Sequence, residues 1–407
     1  MNFLYILLAI LLLLVLITVH EFGHYTAGKL LKFKINEFSI GFGKAIFTRT
    51  NPKTGEKFSI RIFPLGGYCA FEGEDEDGKN NPDAFNNQKA WKRLIVLFAG
   101  VFANFVFGIM SAVVFLFATG YSVPKLAYVL PDSPNAIVLQ VGDEIEKVNG
   151  KSIEAYRDLS ELVSNKKAGQ KITLTIRRNG KLQKVTVTKY EHADNWYVQN
   201  INKISTVYHF DGETLTAYTS EEEVVEAIKA NNGELKDLFY NEKGVAYSET
   251  QISELLGLVH ATKGTSLGIL FNYAHRNYGY FEAVGKAFPF CFKICWLILS
   301  ALGGLFTGAT KLKDMGGTIT AISQVAQYSQ LGFNVFLYMI PMLSMNLALF
   351  NFLPIPALDG ARFVFVLIEM IFKKPVPRKV EAIIHTVGLF VLLGLVIFLD
   401  IFHFFIA

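Results

Sequence analysis

Apolar residues are gathered along this chain in long blocks separated by charged or alternating stretches. Residues 3–19 carry no charged side chain. The run continues through His20-Glu21-Phe22-Gly23-His24 to Leu31 and predicts one helix, long enough to cross ~30 Å of hydrocarbon. Lys29, Lys32 and Lys34 stand at its far end, where long cationic stems reach the interface. A second span is predicted from Leu94 to Thr119, behind Trp91, Lys92 and Arg93, a third from Leu331 to Pro354 and a fourth from His385 to Phe405. The stretch PFCFKICWLILSALGGLF at 289–306 is apolar enough for a fifth, but it is short and holds Lys293 and the pair Gly303-Gly304. It is predicted to be an interfacial or re-entrant helix.

Elsewhere the period changes. AIFTRTNPKTGEKFSIRIFPLGGY alternates around Asn51-Pro52-Lys53-Thr54-Gly55, which predicts a β-hairpin. Residues 121–190 read as strand, turn, helix, strand, turn, strand, with Asn149-Gly150 and Asn179-Gly180 at the turns. The pair Gly142-Asp143-x-Ile145 and Val148-Asn149-Gly150 in this segment resembles a PDZ domain. Residues 191–265 match no template; SEEEVVEAIKANNGELKDLFY within them predicts an exposed helix. The acidic run from Gly73 to Gly78 lacks the ligand spacing of a calcium loop and reads as solvated.

The expected divisions are five. Residues 1–119 hold two spans and the hairpin, 121–190 the PDZ domain, and 191–285 an insertion. Residues 286–330 form the interfacial segment and 331–407 the last two spans.

Composition agrees with spans plus a soluble domain. The chain has 407 residues, 51% of them hydrophobic, and a mean hydropathy of +0.33, high for a soluble protein and low for one wholly in lipid. A net charge of +4 points to no nucleic-acid partner. Cys69, Cys291 and Cys295 are too few for a disulfide framework and read as packing or lipid-facing residues. Met1-Asn2 supplies no basic n-region and no small-residue cleavage site follows the first apolar run, so that run is expected to stay in place.

Charge also orients the spans. Residues 32–93 hold eleven Lys and Arg and residues 360–384 hold five, while the two terminal tails hold none. Both basic loops are therefore assigned to the cytoplasm and both termini to the outside, which places 121–330 outside as well. A fifth crossing at 289–306 would put Asp359 on the opposite side from His24.

An ionisable group near the centre of a membrane helix costs at least ~2.5–3.5 kcal/mol. The first span carries three, His20, Glu21 and His24. Residues four apart share a helix face, so both imidazoles can meet one ion with a carboxylate beside them. His-Glu-x-x-His is the arrangement of zinc hydrolases, in which the Glu handles the proton of a water. A catalytic zinc takes three protein ligands. Asp359, just past the helix break at Pro354 and Pro356, is the best third ligand; a helix-capping Asp is the plainer alternative. His385 is a rival ligand, with a surface role as its plainer account. Asn351 lies near enough to Pro354 to line the site, though it and Asn346 could simply join helices.

Taken together, HEFGH and Asn351-Phe-Leu-Pro354-Ile-Pro356-Ala-Leu-Asp359-Gly360 resemble the site-2 protease family of intramembrane zinc proteases, in its bacterial regulator of sigma-E protease branch. FSIGFGKAIF (38–47) and FPLGGY (63–68) resemble that family's membrane-dipping hairpin, FAGVFANFVFG (98–108) its second span, and LFTGATKLKDMGG the stretch before its third. Where the family has Ala-Gly-Pro this chain has Ala99-Gly100-Val101, and where it has Gly-Pro this chain has Gly316-Gly317-Thr318.

The resemblance implies that His20, His24 and Asp359 bind Zn2+ and that Glu21 is the general base. It implies that Asn351, Asn104, Pro354, Gly66 and Gly67 contact the substrate, with the hairpin adding to it as a strand. The expected fold is a polytopic α-helical membrane protein: four transmembrane helices, a membrane-associated β-hairpin and an extracytoplasmic α+β PDZ domain. The expected function is cleavage of single-span membrane proteins, such as anti-sigma factors and remnant signal peptides, in a bacterial cell membrane. The active site then lies toward the cytoplasm. A catalytically inactive PDZ scaffold and a metal-handling membrane protein are the alternatives. Intact His20, Glu21, His24 and Asp359 argue against the first, and the near absence of further ligands in the spans against the second.

Overall fold

In the computed structural model the described residues are 3–74, 81–154, 159–308 and 316–406. Residues 75–80, which include most of the acidic run, 155–158 within the predicted PDZ segment and 309–315 of LFTGATKLKDMGG lie outside them. The chain divides into two compact units, Met1–Gly120 with Asn277–Ala407, and Tyr121–Arg276.

The first unit opens with α1 (Phe3–Leu30), β1 (Ile35–Thr50), β2 (Lys57–Phe71) and α2 (Ala90–Thr119). Helices α1 and α2 approach closely because small residues meet: a Cβ on Gly23 would lie 2.3 Å from the Ala99 carbonyl oxygen. β1 and β2 are long and bent, with Gly41 and Gly43 at positive φ in β1. Their register gives Phe38 both Phe58 and Cys69 as neighbours, and pairs Thr48 with Ser59. Two strands thus supply four segments side by side: 47–50, 57–60, 37–40 and 67–71. Segment 67–71 forms one edge, against α1. Phe42, Ile46, Phe47, Ile62 and Phe63 point outward, exposed. Inside, Arg61 and the Tyr68 hydroxyl donate to the Glu37 carboxylate at 2.7 and 2.9 Å.

The second unit contains β3 (Tyr121–Val129), β4 (Glu144–Val148), β5 (Lys151–Ser152), α3 (Leu159–Ser164), β6 (Lys171–Arg178) and β7 (Lys181–Thr188). After these come β8 (Tyr190–His192), β9 (Asn195–Val198), β10 (Tyr208–Phe210), β11 (Leu215–Ala217), α4 (Glu221–Ala230) and α5 (Glu249–Leu256). It closes with β12 (Leu258–Ala261), β13 (Gly264–Ser266) and β14 (Ile269–Arg276). The main antiparallel sheet runs β14-β3-β4-β6-β7, over a core that includes Leu126, Ile145, Ile172, Leu174, Ile176 and Val187. Its edge strand β14 comes from the far end of the unit. The compact body therefore extends to Arg276, beyond the limit of 190 expected from the sequence, because no local turn signal announces a strand returning after about 80 residues. The segment between forms its own small core, in which Val224, Ile228, Phe239, Ile252 and Leu256 are fully buried. The helix expected from SEEEVVEAIKA is α4, capped by Ser220 and buried on one face.

The first unit resumes with α6 (Tyr280–Thr307), α7 (Thr318–Ser329), α8 (Phe333–Phe352), α9 (Asp359–Phe372) and α10 (Arg378–Ile406). Among the described residues five helices, α1, α2, α6, α8 and α10, are long and apolar enough to cross a membrane, where the sequence predicted four. The additional one, α6, covers 289–306. It packs into the bundle through Ala283, Ala287, Phe290, Cys291 and Ile294: Phe290 stacks near Phe115, Phe292 meets Phe105, and Cys295 reaches Met345. Helix α8 runs along α2, with Tyr338 near Phe115, Ser344 donating to the Asn104 carbonyl, and Phe352 near Phe98. Helix α7 packs Val325 and Ala326 on Leu12 and Leu16. Its N-cap, Gly317, has no side chain to offer. Asp400 of α10 supplies the missing acceptor, taking the amides of Ile319 and Thr320 at 3.1 and 2.9 Å and the Thr320 hydroxyl at 2.8 Å.

Candidate metal centre

His20 and His24 sit one turn apart on α1, both buried, with ring planes nearly perpendicular. Asp359 opens α9 after a break that Pro354 and Pro356 impose on α8. Gly360 lets that turn close, since a Cβ there would lie 2.2 Å from the Leu353 carbonyl oxygen. The Asp359 carboxylate is not a helix cap. Its Oδ2 lies 2.8 Å from His20 Nε2 and 3.1 Å from His24 Nε2, and the two Nε2 atoms are 3.1 Å apart.

Three ligand-type atoms thus form a triangle. A tetrahedral zinc with bonds of about 2.0–2.1 Å holds its donors roughly 3.3 Å apart, so a few tenths of an ångström of spreading fits the ion. Among the described residues these are the three whose ligand atoms cluster this way. His24 Nδ1 lies 2.8 Å from the Val96 carbonyl oxygen, to which it donates, leaving the Nε2 lone pair free for a metal. Gly100 provides the room: a Cβ there would be 2.3 Å from His24 Nε2 and 2.9 Å from His20.

The other predicted residues fall in different places. Glu21 is half-buried beside the triangle, and its Oε2 accepts the Cys69 amide of β2 at 3.0 Å. Gly67 faces Glu21 at that edge; a Cβ on it would meet the Ser39 carbonyl at 2.8 Å and one on Gly66 the Phe42 ring. Asn351 lines a narrow crevice with Leu97, Phe98, Val101, Asp359 and Phe363, and Pro354 is exposed at the break.

Asn104 lies behind His20 instead, fully buried, with its amide nitrogen 3.4 Å from Nδ1. Half a turn of that amide gives the Nδ1–H an acceptor and pairs Oδ1, which has no partner among the described residues. His385, the rival ligand, does not join the triangle: it is half-buried, and its Nδ1 accepts the Ala357 amide at 3.0 Å. Beside it a polar cavity of about 820 Å³ is lined by Arg93, Arg362, Glu369, Arg378 and Glu381.

Residues 8–395 match the model of peptidase family M50. The chain belongs to that family. The M50 peptidases are the site-2 proteases, and this member is a zinc metalloprotease. It is 28% identical over 400 residues to a provisionally named zinc metalloprotease of Clostridium perfringens, covering 98% of this chain and 97% of that one. It is 27% identical over 435 residues to the regulator of sigma-E protease RseP of Escherichia coli, covering 95% of this chain and 96% of that one. A solved PDZ domain of an SdrC-like protein from Listeria monocytogenes is 21% identical over 17% of this chain and 74% of that one, at a TM-score of 0.16.

In this M50 peptidase the space beside His20 and His24 depends on Gly100. Gly100 stood out only as part of a departure from Ala-Gly-Pro. Its role is a contact with two side chains about 80 residues away, which no local pattern encodes.

Proposed function

We propose that this zinc metalloprotease is an intramembrane endopeptidase that cuts single-span membrane proteins within or near the bilayer, in regulated intramembrane proteolysis. The observation that carries this is the triangle of His20, His24 and Asp359, with donor atoms 2.8–3.1 Å apart at the ends of apolar helices. His20, His24 and Asp359 hold the ion. When bound, zinc supplies Lewis acidity and lowers the pKa of its water toward ~7. Glu21 takes a proton from the attacking water and hands it to the leaving amine. Asn104, buried behind His20, orients its ring. Asn351 and Pro354 line the approach.

The edge of β2 from Gly66 to Cys69 lies beside Glu21, which supports strand addition of an unwound substrate there. The exposed apolar side chains of the hairpin support its dipping into lipid. Four spans, with the basic loops and the metal centre toward the cytoplasm, follow from the charge distribution. Helix α6 then enters the membrane without crossing. Supporting this, α7 has 12 residues, about 18 Å of rise, and leads straight to α8, whose first turns lie level with the end of α2. The polar cavity beside His385 supports water access from the same side. The sheet of the second unit, residues 121–276, is a PDZ-type body outside the membrane that screens or senses clients. Anti-sigma factors already trimmed outside and remnant signal peptides are the substrate class.

The test is cleavage of a tagged single-span protein in reconstituted membranes, with zinc measured on wild type and Glu21→Gln. The variant should keep its zinc and lose roughly 10²–10⁴-fold in rate. A wild type without zinc, or equal cutting by both, overturns the assignment. Zinc without cutting of any trimmed client favours the inactive scaffold.

A further inference from the structure

The loop that delivers Asp359 runs from Leu353 to Leu358, and two of its residues, Pro354 and Pro356, have no amide hydrogen to anchor it. Ala357 adopts φ +79°, a conformation rare for a residue with a side chain. Such a conformation persists where its surroundings over-determine it. Part of that support is local, since the Leu358 amide donates to the Ile355 carbonyl at 3.1 Å and closes a turn with Pro356 and Ala357 at its centre; the rest comes from α10. The Ala357 amide donates to His385 Nδ1 at 3.0 Å. One turn further along the same face, Gly388 lets Pro356 rest on the helix, because a Cβ there would lie 2.2 Å from Pro356 Cβ. Phe365 of α9 closes edge-on over the His385 ring at 5.6 Å, which fixes its plane.

We propose that His385, seated with Gly388 on α10, is a positioning residue for the metal centre: by accepting the Ala357 amide it holds the turn that aims the Asp359 carboxylate at His20 and His24. It touches neither the ion nor the substrate. The chemistry required of it is narrow. Nδ1 must present a lone pair, so the ring is neutral with its proton on Nε2. Asparagine, whose Oδ1 stands where Nδ1 stands, can replace it; leucine, of the same shape as asparagine, cannot.

This inference rests on the metal-site reading, and the test separates the two. Full-length protein in detergent is loaded with zinc and titrated with a chelator. H385L should release zinc about 10- to 100-fold more readily than wild type, the usual cost of losing an outer-shell partner, and H385N should stay within about threefold. G388A, which keeps the imidazole but pushes one methyl against Pro356, should weaken zinc as H385L does. G394A, on the same helix with nothing within 4 Å of the added methyl, should match wild type. Zinc held by H385L as tightly as by wild type overturns the inference, as does equal loss in H385N and H385L. If H385L does not fold, G388A decides: wild-type zinc affinity there overturns it. A wild type that holds no zinc overturns the metal-site reading and this inference with it.

Discussion

At the scale of residues, the centre depends as much on what is missing as on what is present. Gly100 faces both imidazoles, with space for hydrogen alone. Gly100→Ala should therefore cost about 1–3 kcal/mol by overpacking if His24 keeps its place. If the imidazole moves aside, zinc affinity should fall at least about tenfold. Zinc content and thermal unfolding measured on one preparation tell these apart; wild-type values for both would show that α1 and α2 can separate freely. The clustering of His20, His24 and Asp359 could be anticipated from the sequence, because ionisable groups inside an apolar run demand an explanation. Asn104, Gly100 and His385 could not. Each acts through a partner distant in the chain, and an Asn, a Gly or a His taken alone has many plainer uses.

At the scale of elements, the long apolar helices and the hairpin turn were readable from period and turn residues. The bending of the hairpin into four segments was not, because it arises from positive φ at Gly41 and Gly43 and from pairings that skip along the strands. Nor was the cap on α7. The N-cap Gly317 has no side chain to accept with, and the acceptor that serves is 80 residues on from Thr320, at Asp400. Removing such an acceptor costs about 0.5–2 kcal/mol. Asp400→Leu should lower the melting temperature of the detergent-solubilised protein, and Asp400→Asn, which keeps an oxygen, should lower it less. Equal melting of D400L and wild type would mean that α7 is held by its packing on α1 alone.

At the scale of the whole molecule, the compact unit Tyr121–Arg276 is inserted in the chain between the apolar helices α2 and α6. Tyr121 and Arg276, its first and last residues, are paired neighbours on β3 and β14. Its ends therefore lie side by side, which no local pattern announces because β14 follows an insertion of unfamiliar pattern. Replacing residues 121–276 by a short Gly-Ser bridge should leave the membrane unit folded, with zinc affinity within about threefold of wild type, since domains joined by adjacent ends are removed with little strain. Loss of zinc in that deletion would show that the inserted body braces the bundle. Within the membrane unit, the amide of Cys69 ties β2 to Glu21. The carboxylate and the strand consequently form a linked equilibrium, and linkage is reciprocal. An occupant that draws the strand away retunes Glu21, and any change in what Glu21 holds alters the grip of the strand. Under the roles proposed for Glu21 and β2, selectivity and proton transfer share one hydrogen bond, so that a poorly seated peptide is also a poorly attacked one.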